Sequence, residues 1–219
     1  MKDLEKNLVD IYRNQFEKHK DSPLSTFQND RTTQSLRFGR LLKNLNIQSA
    51  DTLLDVGCGL GDLYGFLKQE SIDCQYVGLD PVSEMIDFGK TKFPSAGFQT
   101  GTLDAFTGLT DWAVSSGLFN LPGTASEPEW RDFTLQTIVK MYEKSRKGVS
   151  FNLLSSHRTF SDPTLHYWDP SEILFWCVDN LSRFVAIDLS YPLYEITVTV
   201  TKKTEVATQN PAPELEKYF

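Results

Sequence analysis

The sequence predicts an α/β domain built on a mostly parallel sheet, with helices on both faces and an antiparallel strand pair at its end. Three observations carry that expectation. From residue 51 onward, short apolar strands alternate with amphipathic helical stretches through short connections. A bend with three alternating glycines, Gly57-Cys58-Gly59-Leu60-Gly61, joins the first strand to the helix after it. Near the end, Phe184–Leu189 and Glu195–Thr201 are separated only by Ser190–Tyr194, too short a link for a parallel crossover.

Taken in order, Leu4, Leu8, Ile11, Tyr12 and Phe16 recur at helical spacing and predict an amphipathic helix that Asp21-Ser22-Pro23 breaks. A second helix is expected over Thr32 to Leu45, with Leu36, Leu41, Leu42 and Leu45 facing inward. Residues 1–50 are thus expected to form a helical cap or lid on a main domain of residues 51–204. Residues 205–219, with Asn210-Pro211-Ala212-Pro213, read as a loosely held tail. The strand candidates are Thr52–Val56, Gln75–Leu79, Gly97–Thr100, Trp112–Ser116 and Val149–Leu154. Leu63, Phe66 and Leu67 give one helix its apolar face, and Met85, Ile86 and Phe93 another. Ser126-Glu127-Pro128-Glu129 reads as a capping box, followed by a stripe of Trp130, Phe133, Ile138, Met141 and Tyr142 ending before Gly148. Pro170 to Asn180 reads as helix. In the final strand Ile196, Val198 and Val200 alternate with Thr197, Thr199 and Thr201, so its two faces differ.

Composition narrows the function. The chain has 219 residues, 40% hydrophobic and 12% aromatic, which excludes a disordered protein. Its net charge is −7 and no dense Lys/Arg block interrupts the acidity, so nucleic acid is not the expected partner. Cys58, Cys74 and Cys177 form neither a disulfide framework nor a C-x-x-C pair, and His19, His157 and His166 lack metal-ligand spacing, so no metal is expected. The opening MKDLEKNLVDIYRNQFEKHK is charged throughout, unlike a secretory leader, and no apolar run approaches the roughly 20 residues of a membrane span. A soluble cytoplasmic domain is expected, with no membrane partner.

The glycine bend carries the chemistry. Glycines there let backbone approach a ligand closely. A dinucleotide fingerprint wants G-x-G-x-x-G aimed at a pyrophosphate, whereas here G-x-G-x-G stands between Asp55 and Asp62. Carboxylates repel phosphate and suit a ligand bearing cationic groups. No Gly-Lys-Ser/Thr follows, which excludes a P-loop.

Asp55-Val56-Gly57-Cys58-Gly59-Leu60-Gly61 resembles motif I of the class I S-adenosylmethionine-dependent methyltransferases. S-adenosylmethionine (SAM) carries an amino group and a sulfonium, both positive, and no phosphate. The resemblance implies a Rossmann-like seven-stranded sheet closed by an antiparallel hairpin. It also implies SAM as cofactor, S-adenosylhomocysteine (SAH) as product, and Asp55, Gly57, Cys58, Gly59 and Gly61 at the cofactor. Asp80, in Tyr76-Val77-Gly78-Leu79-Asp80-Pro81, ends the second strand where a carboxylate can accept from both ribose hydroxyls, with Pro81 beside it. NAD enzymes place an acid at similar spacing, so Asp80 alone does not choose between the cofactors. In Gly101-Thr102-Leu103-Asp104, either Asp104 meets the adenine amino group in place of the family's acid, or Thr102 and the Leu103 backbone do. Ser116 and Gly117, at the end of the fourth strand, are placed near the cofactor, with Phe119, Asn120 and Tyr12 toward the substrate.

The segments Asp21-Ser22-Pro23, Gln34-Ser35-Leu36-Arg37-Phe38, Ser116-Gly117-Leu118-Phe119-Asn120, Ser145-Arg146-Lys147-Gly148 with Phe151-Asn152, and Tyr191-Pro192-Leu193-Tyr194-Glu195 resemble a small bacterial subgroup of that family. By the same resemblance Arg37, before the first strand, is placed at the SAM carboxylate. The expected reaction is in-line SN2 transfer of the sulfonium methyl to an oxygen or nitrogen of a small-molecule acceptor. Alignment supplies most of such a rate, so no nucleophile is required. Candidate bases are His166, Tyr167, His157 and Tyr12. A non-catalytic SAM-binding module and an NAD(P)-dependent oxidoreductase are the competing readings.

Overall fold

The computed structural model describes residues 2–219; Met1, the first residue of the expected cap, lies outside them. Seven strands form one sheet: β1 (Thr52–Val56), β2 (Gln75–Asp80), β3 (Gly97–Thr100), β4 (Thr110–Ser115), β5 (Ser145–Leu154), β6 (Val185–Asp188) and β7 (Glu195–Thr201). Their order is β3-β2-β1-β4-β5-β7-β6. Strands β1 to β5 pair in parallel, and β7 runs antiparallel between β5 and β6. The helices are α1 (Lys2–His19), α2 (Arg31–Leu42), α3 (Asp62–Gln69), α4 (Ser83–Lys92), α5 (Glu127–Glu143), α6 (Pro170–Asn180) and α7 (Lys203–Gln209).

The pleat sends successive side chains to opposite faces, and each face has its own core. On one side Leu54, Val56, Phe151, Ile196, Val198 and Val200 pack with Ile138 and Met141 of α5 and Ile173 and Cys177 of α6. On the other, Leu53, Trp112 and Val114 pack with Phe38, Leu41 and Leu42 of α2 and Leu63 and Leu67 of α3. The threonine face of β7 is buried as well, with Thr197 accepting from or donating to Tyr191 at 2.8 Å. A third cluster ties α1 to α4 through Phe16, Val82 and Met85. No helix among the described residues is long and apolar enough to cross a membrane.

Several boundaries differ from the sequence expectation. Strand β5 begins four residues earlier than Val149, running through Gly148, where β4 and β5 slip register between Thr110 and Trp112. Gly148 is therefore inside a strand rather than after a helix, and a Cβ there would lie 2.3 Å from the Val200 carbonyl oxygen. The helix before it stops at Glu143. Helix α2 ends at Leu42, three residues short of Leu45. Strand β4 closes at Ser115, because Gly117 turns the chain with φ of 78°. Within residues 205–219, α7 ends at Gln209 with Glu205 buried, and a 3₁₀ turn spans Pro213–Tyr218, whose Tyr218 carbonyl accepts from Arg183.

The capping box forms as the sequence predicts, with the Ser126 N–H donating to Glu129 Oε2 at 2.9 Å. Replacing Glu129 by Ala removes the acceptor of the Ser126 N–H and is expected to lower the urea midpoint at pH 7 with an unchanged m-value.

Candidate functional site

Past Val56 the chain turns through Gly57, Gly59 and Gly61, at φ of 73°, 53° and 77°, conformations that a side chain resists. The end of β2 holds the turn in place. The N–H groups of Gly57 and Cys58 both donate to the Leu79 carbonyl, at 2.8 and 3.2 Å. The Gly59 N–H donates to Asp80 Oδ2 at 3.0 Å, while Asp80 Oδ1 accepts from the Val82 N–H at 2.9 Å. Asp80 thereby pins the β1–α3 turn to the start of α4.

Beside this turn lies a cavity of about 980 Å³, its open mouth included. Gly57, Gly59, Asp80, Pro81, Thr102, Leu103, Asp104, Ser116 and Gly117 all line it, nine of the thirteen residues expected at a cofactor. Tyr12, expected at a substrate, lines it too, from α1. A smaller cavity of about 360 Å³ adjoins it, sharing Thr26, Gly57 and Ser116, and is lined by Asp55 and Cys58.

Other expected residues are placed elsewhere. Gly61 lines neither cavity; a Cβ there would sit 2.5 Å from the Phe98 ring, so this glycine serves packing of the turn. Arg37 lines neither cavity, its Nε donating to Glu195 at 2.6 Å and its NH1 to Gln28 Oε1 at 2.5 Å. Phe119 is a core residue with no exposed surface, edge-on to Phe151. Asn120 lines neither cavity, its carbonyl accepting from the His166 N–H. His166, Tyr167 and His157 belong to the loop after β5 and line neither cavity: Tyr167 accepts from the Asp162 N–H beneath Arg158, and His157 is exposed. Burial, with Arg131 nearby, holds His166 below its ordinary pKa.

Sequence reasoning missed much of the wall. Phe133, Thr137 and Lys140 of α5 line the cavity together. Their spacing puts them on one helix face, which was a usable signal. Lys140 ends at the rim, paired with Asp104 at 2.6 Å. Leu8 and Val9 of α1, with Val82 and Met85, add apolar wall. Thr26 and Gln28 reach over the glycine turn from the loop between α1 and α2, and nothing in their local sequence signalled it.

The electrostatics are those of suppressed acids. Burial raises Asp55 to about 7, against the hydrogen bond from Tyr76 Oη at 2.8 Å, and nearby Asp80 adds to the rise. Burial likewise raises Asp80 to about 6, against its two backbone donors. Burial and the charge of Asp80 push the Tyr12 phenol up as well. A cationic ligand would restore both carboxylates to their charged form.

The donor set discriminates between cofactors. A pyrophosphate needs free N–H groups and cations, yet the N–H groups of Gly57, Cys58 and Gly59 are already taken by Leu79 and Asp80. Lys140, the basic residue of the wall, is taken by Asp104. What is left is a glycine cradle, two acids and apolar surface, which fits a nucleoside with positive charge and no phosphate.

Comparison with known proteins agrees. No family model matches the chain. Over 164 residues it is 29% identical to a Mycobacterium tuberculosis protein named "Putative methyltransferase Rv1506c", covering 74% of this chain and 99% of that one. Among solved structures, a SAM-dependent methyltransferase of Leishmania major superposes with a TM-score of 0.63 at 13% identity, over 91% of this chain and 83% of that one. Magnesium protoporphyrin IX methyltransferase of Synechocystis PCC 6803, solved with bound SAM, gives 0.56 at 14% identity, over 79% of each chain. The chain has the class I methyltransferase fold. Within that fold, the glycine turn after β1 and the acid ending β2 are the elements that border the cavity here.

A pH dependence follows from the raised acids. Between about pH 4 and pH 7 the folded methyltransferase fold retains a proton on Asp55 that the unfolded chain has lost, so this group's penalty on stability is absent in acid and complete above pH 7. Asp55→Asn is expected to raise the melting temperature of the ligand-free protein at pH 8 and to change it much less at pH 5, as read by scanning calorimetry.

Proposed function

We propose that the protein is a SAM-dependent methyltransferase that transfers the sulfonium methyl to an oxygen or nitrogen of a small-molecule acceptor in the cytoplasm. The observation that carries this reading is the cavity itself. It combines a glycine cradle whose N–H groups are already satisfied with a buried acid at the end of β2, and its positive charge is neutralised at the rim. Asp80 would accept from the ribose hydroxyls, Val82 and Leu103 would provide apolar wall for the base, and Asp55 would face the ammonium from the adjoining cavity. SAM supplies an already activated methyl group.

The chain's own part is then to align the acceptor and exclude water, an effect worth about 7–11 kcal/mol when geometry is well held. Leu8, Val9, Leu118 and Phe133 give the cavity an apolar side, which suits an acceptor that is itself largely apolar. Helix α1 serves as the lid: it covers the cavity with Tyr12, and it is tied down at its middle by the Arg13–Glu84 pair at 2.7 Å and by Phe16 against Phe88. None of the histidines or Tyr167 lines this space, so methyl transfer here would run by alignment rather than through these bases. The same observation supports a second reading, a module that binds SAM without turnover.

Calorimetric titration separates these readings. SAH is expected to bind and NAD to leave no heat of binding; the reverse pattern overturns the assignment. Binding with no SAH production across a broad panel of hydroxyl and amine acceptors would favour the non-catalytic module. Asp80→Asn, which keeps an acceptor for the Gly59 N–H but removes the charge, is expected to weaken SAM binding about tenfold with an unchanged circular dichroism spectrum.

A further inference from the structure

Gln28 follows Phe27, whose φ of 57° swings the chain out of the Pro23–Thr26 turn and back across the glycine loop. Its side chain is fixed at one end, where Arg37 donates to Oε1 at 2.5 Å while also donating to Glu195 at 2.6 Å. A guanidinium has no acceptor atom, so the Gln28 atom facing it is the carbonyl oxygen and the amide nitrogen points the other way. That nitrogen lies 2.8 Å from where a Cβ on Gly117 would stand. Among the described residues it donates to no acceptor, and Gln28 forms part of the wall of the smaller cavity. Asp55 lines the same cavity, while Asp62 is already engaged by Lys92 at 2.9 Å and Gln34 at 3.2 Å.

The smaller cavity therefore presents one free amide donor and one available carboxylate, the complement of an α-amino-acid zwitterion. It shares Thr26, Gly57 and Ser116 with the larger cavity, so one molecule can extend through both. We infer that Gln28 donates to the carboxylate at the amino-acid end of the methyl donor while Asp55 faces its ammonium, with Arg37 and Glu195 as positioning residues that fix the amide. This rests on the SAM reading above. It reassigns the carboxylate contact from Arg37, whose charge is spent on Glu195, to the amide that Arg37 orients. It also accounts for glycine at 117, since a side chain there would displace the donor.

The test is calorimetric, on the full chain, with two ligands: SAH and 5′-methylthioadenosine, which shares the nucleoside but has no amino-acid end. Gln28→Glu keeps an oxygen for Arg37 and replaces the donor with a second, repelling oxygen. It is expected to weaken SAH about tenfold or more and to leave 5′-methylthioadenosine within twofold of wild type. Gln28→Leu is expected to show the same selectivity, and Arg37→Leu a smaller loss for SAH alone. An unchanged SAH affinity in Gln28→Glu, with wild type binding SAH, overturns this inference and spares the methyltransferase reading. Equal weakening of both ligands also overturns it, since the residue would then act only by shaping the loop. Failure of wild type to bind either ligand brings down the cofactor reading itself.

Discussion

The fold's ligand edge depends on a single carboxylate. Asp80 closes β2, accepts the Gly59 N–H with one oxygen and the Val82 N–H with the other, and so joins the glycine turn to the start of α4, where Leu60 also packs on Val82 and Met85. With Leu79 taking the N–H groups of Gly57 and Cys58, the glycine turn is left with few donors to offer a ligand. A turn arranged in this way holds its left-handed conformations without help from a bound phosphate. It also sets the character of the cavity beside it, which recognises through acceptors and apolar surface more than through donors.

The burial that makes this clamp strong is also what suppresses its charge. Burial raises the cost of ionising both Asp55 and Asp80, and the charge of Asp80 adds to that of Asp55, in surroundings of apolar strand ends and aromatic rings. Such a pair is poorly satisfied alone and well satisfied by an incoming cation, so affinity is gained partly by relieving an existing penalty. The tyrosine beneath Asp55 has a matching role, satisfying one oxygen while leaving the carboxyl group at the cavity wall.

What was legible in the sequence is what is local. The strand–glycine–helix run, the acid ending β2, the capping box and the alternating last strand each announce themselves within a dozen residues, and each takes its predicted place. The turn after β4 was legible only in part: Ser116 and Gly117 reach the cavity, while Phe119 points into the core, because a residue's side of a turn is not written in its type. Arg37 lines neither cavity, for a different reason. Its partner Glu195 is 158 residues away, and no pattern near either residue reveals that α2 packs against the start of β7. Gln28 and Thr26 were illegible altogether, since their role comes from a loop path that Phe27 and the Pro23 turn create together. Gly61 and Gly148 each face a neighbour that a Cβ would strike, Phe98 and Val200 respectively, a constraint that comes from across the sheet and not from the local pattern.

The reversed direction of β7 has a consequence for how much this sheet can hold. Ligands collect where parallel strands end and the order of strands diverges, and that divergence occurs once here, between β1 and β4. Beyond β5 the sheet continues with a strand that begins, rather than ends, on this side, and its first residue is the buried Glu195. The end of the sheet beside β5 is thus held by the protein's own ion pair, Glu195 with Arg37, so among the described residues the divergence between β1 and β4 is the one edge of this sheet where parallel strand ends open onto a cavity.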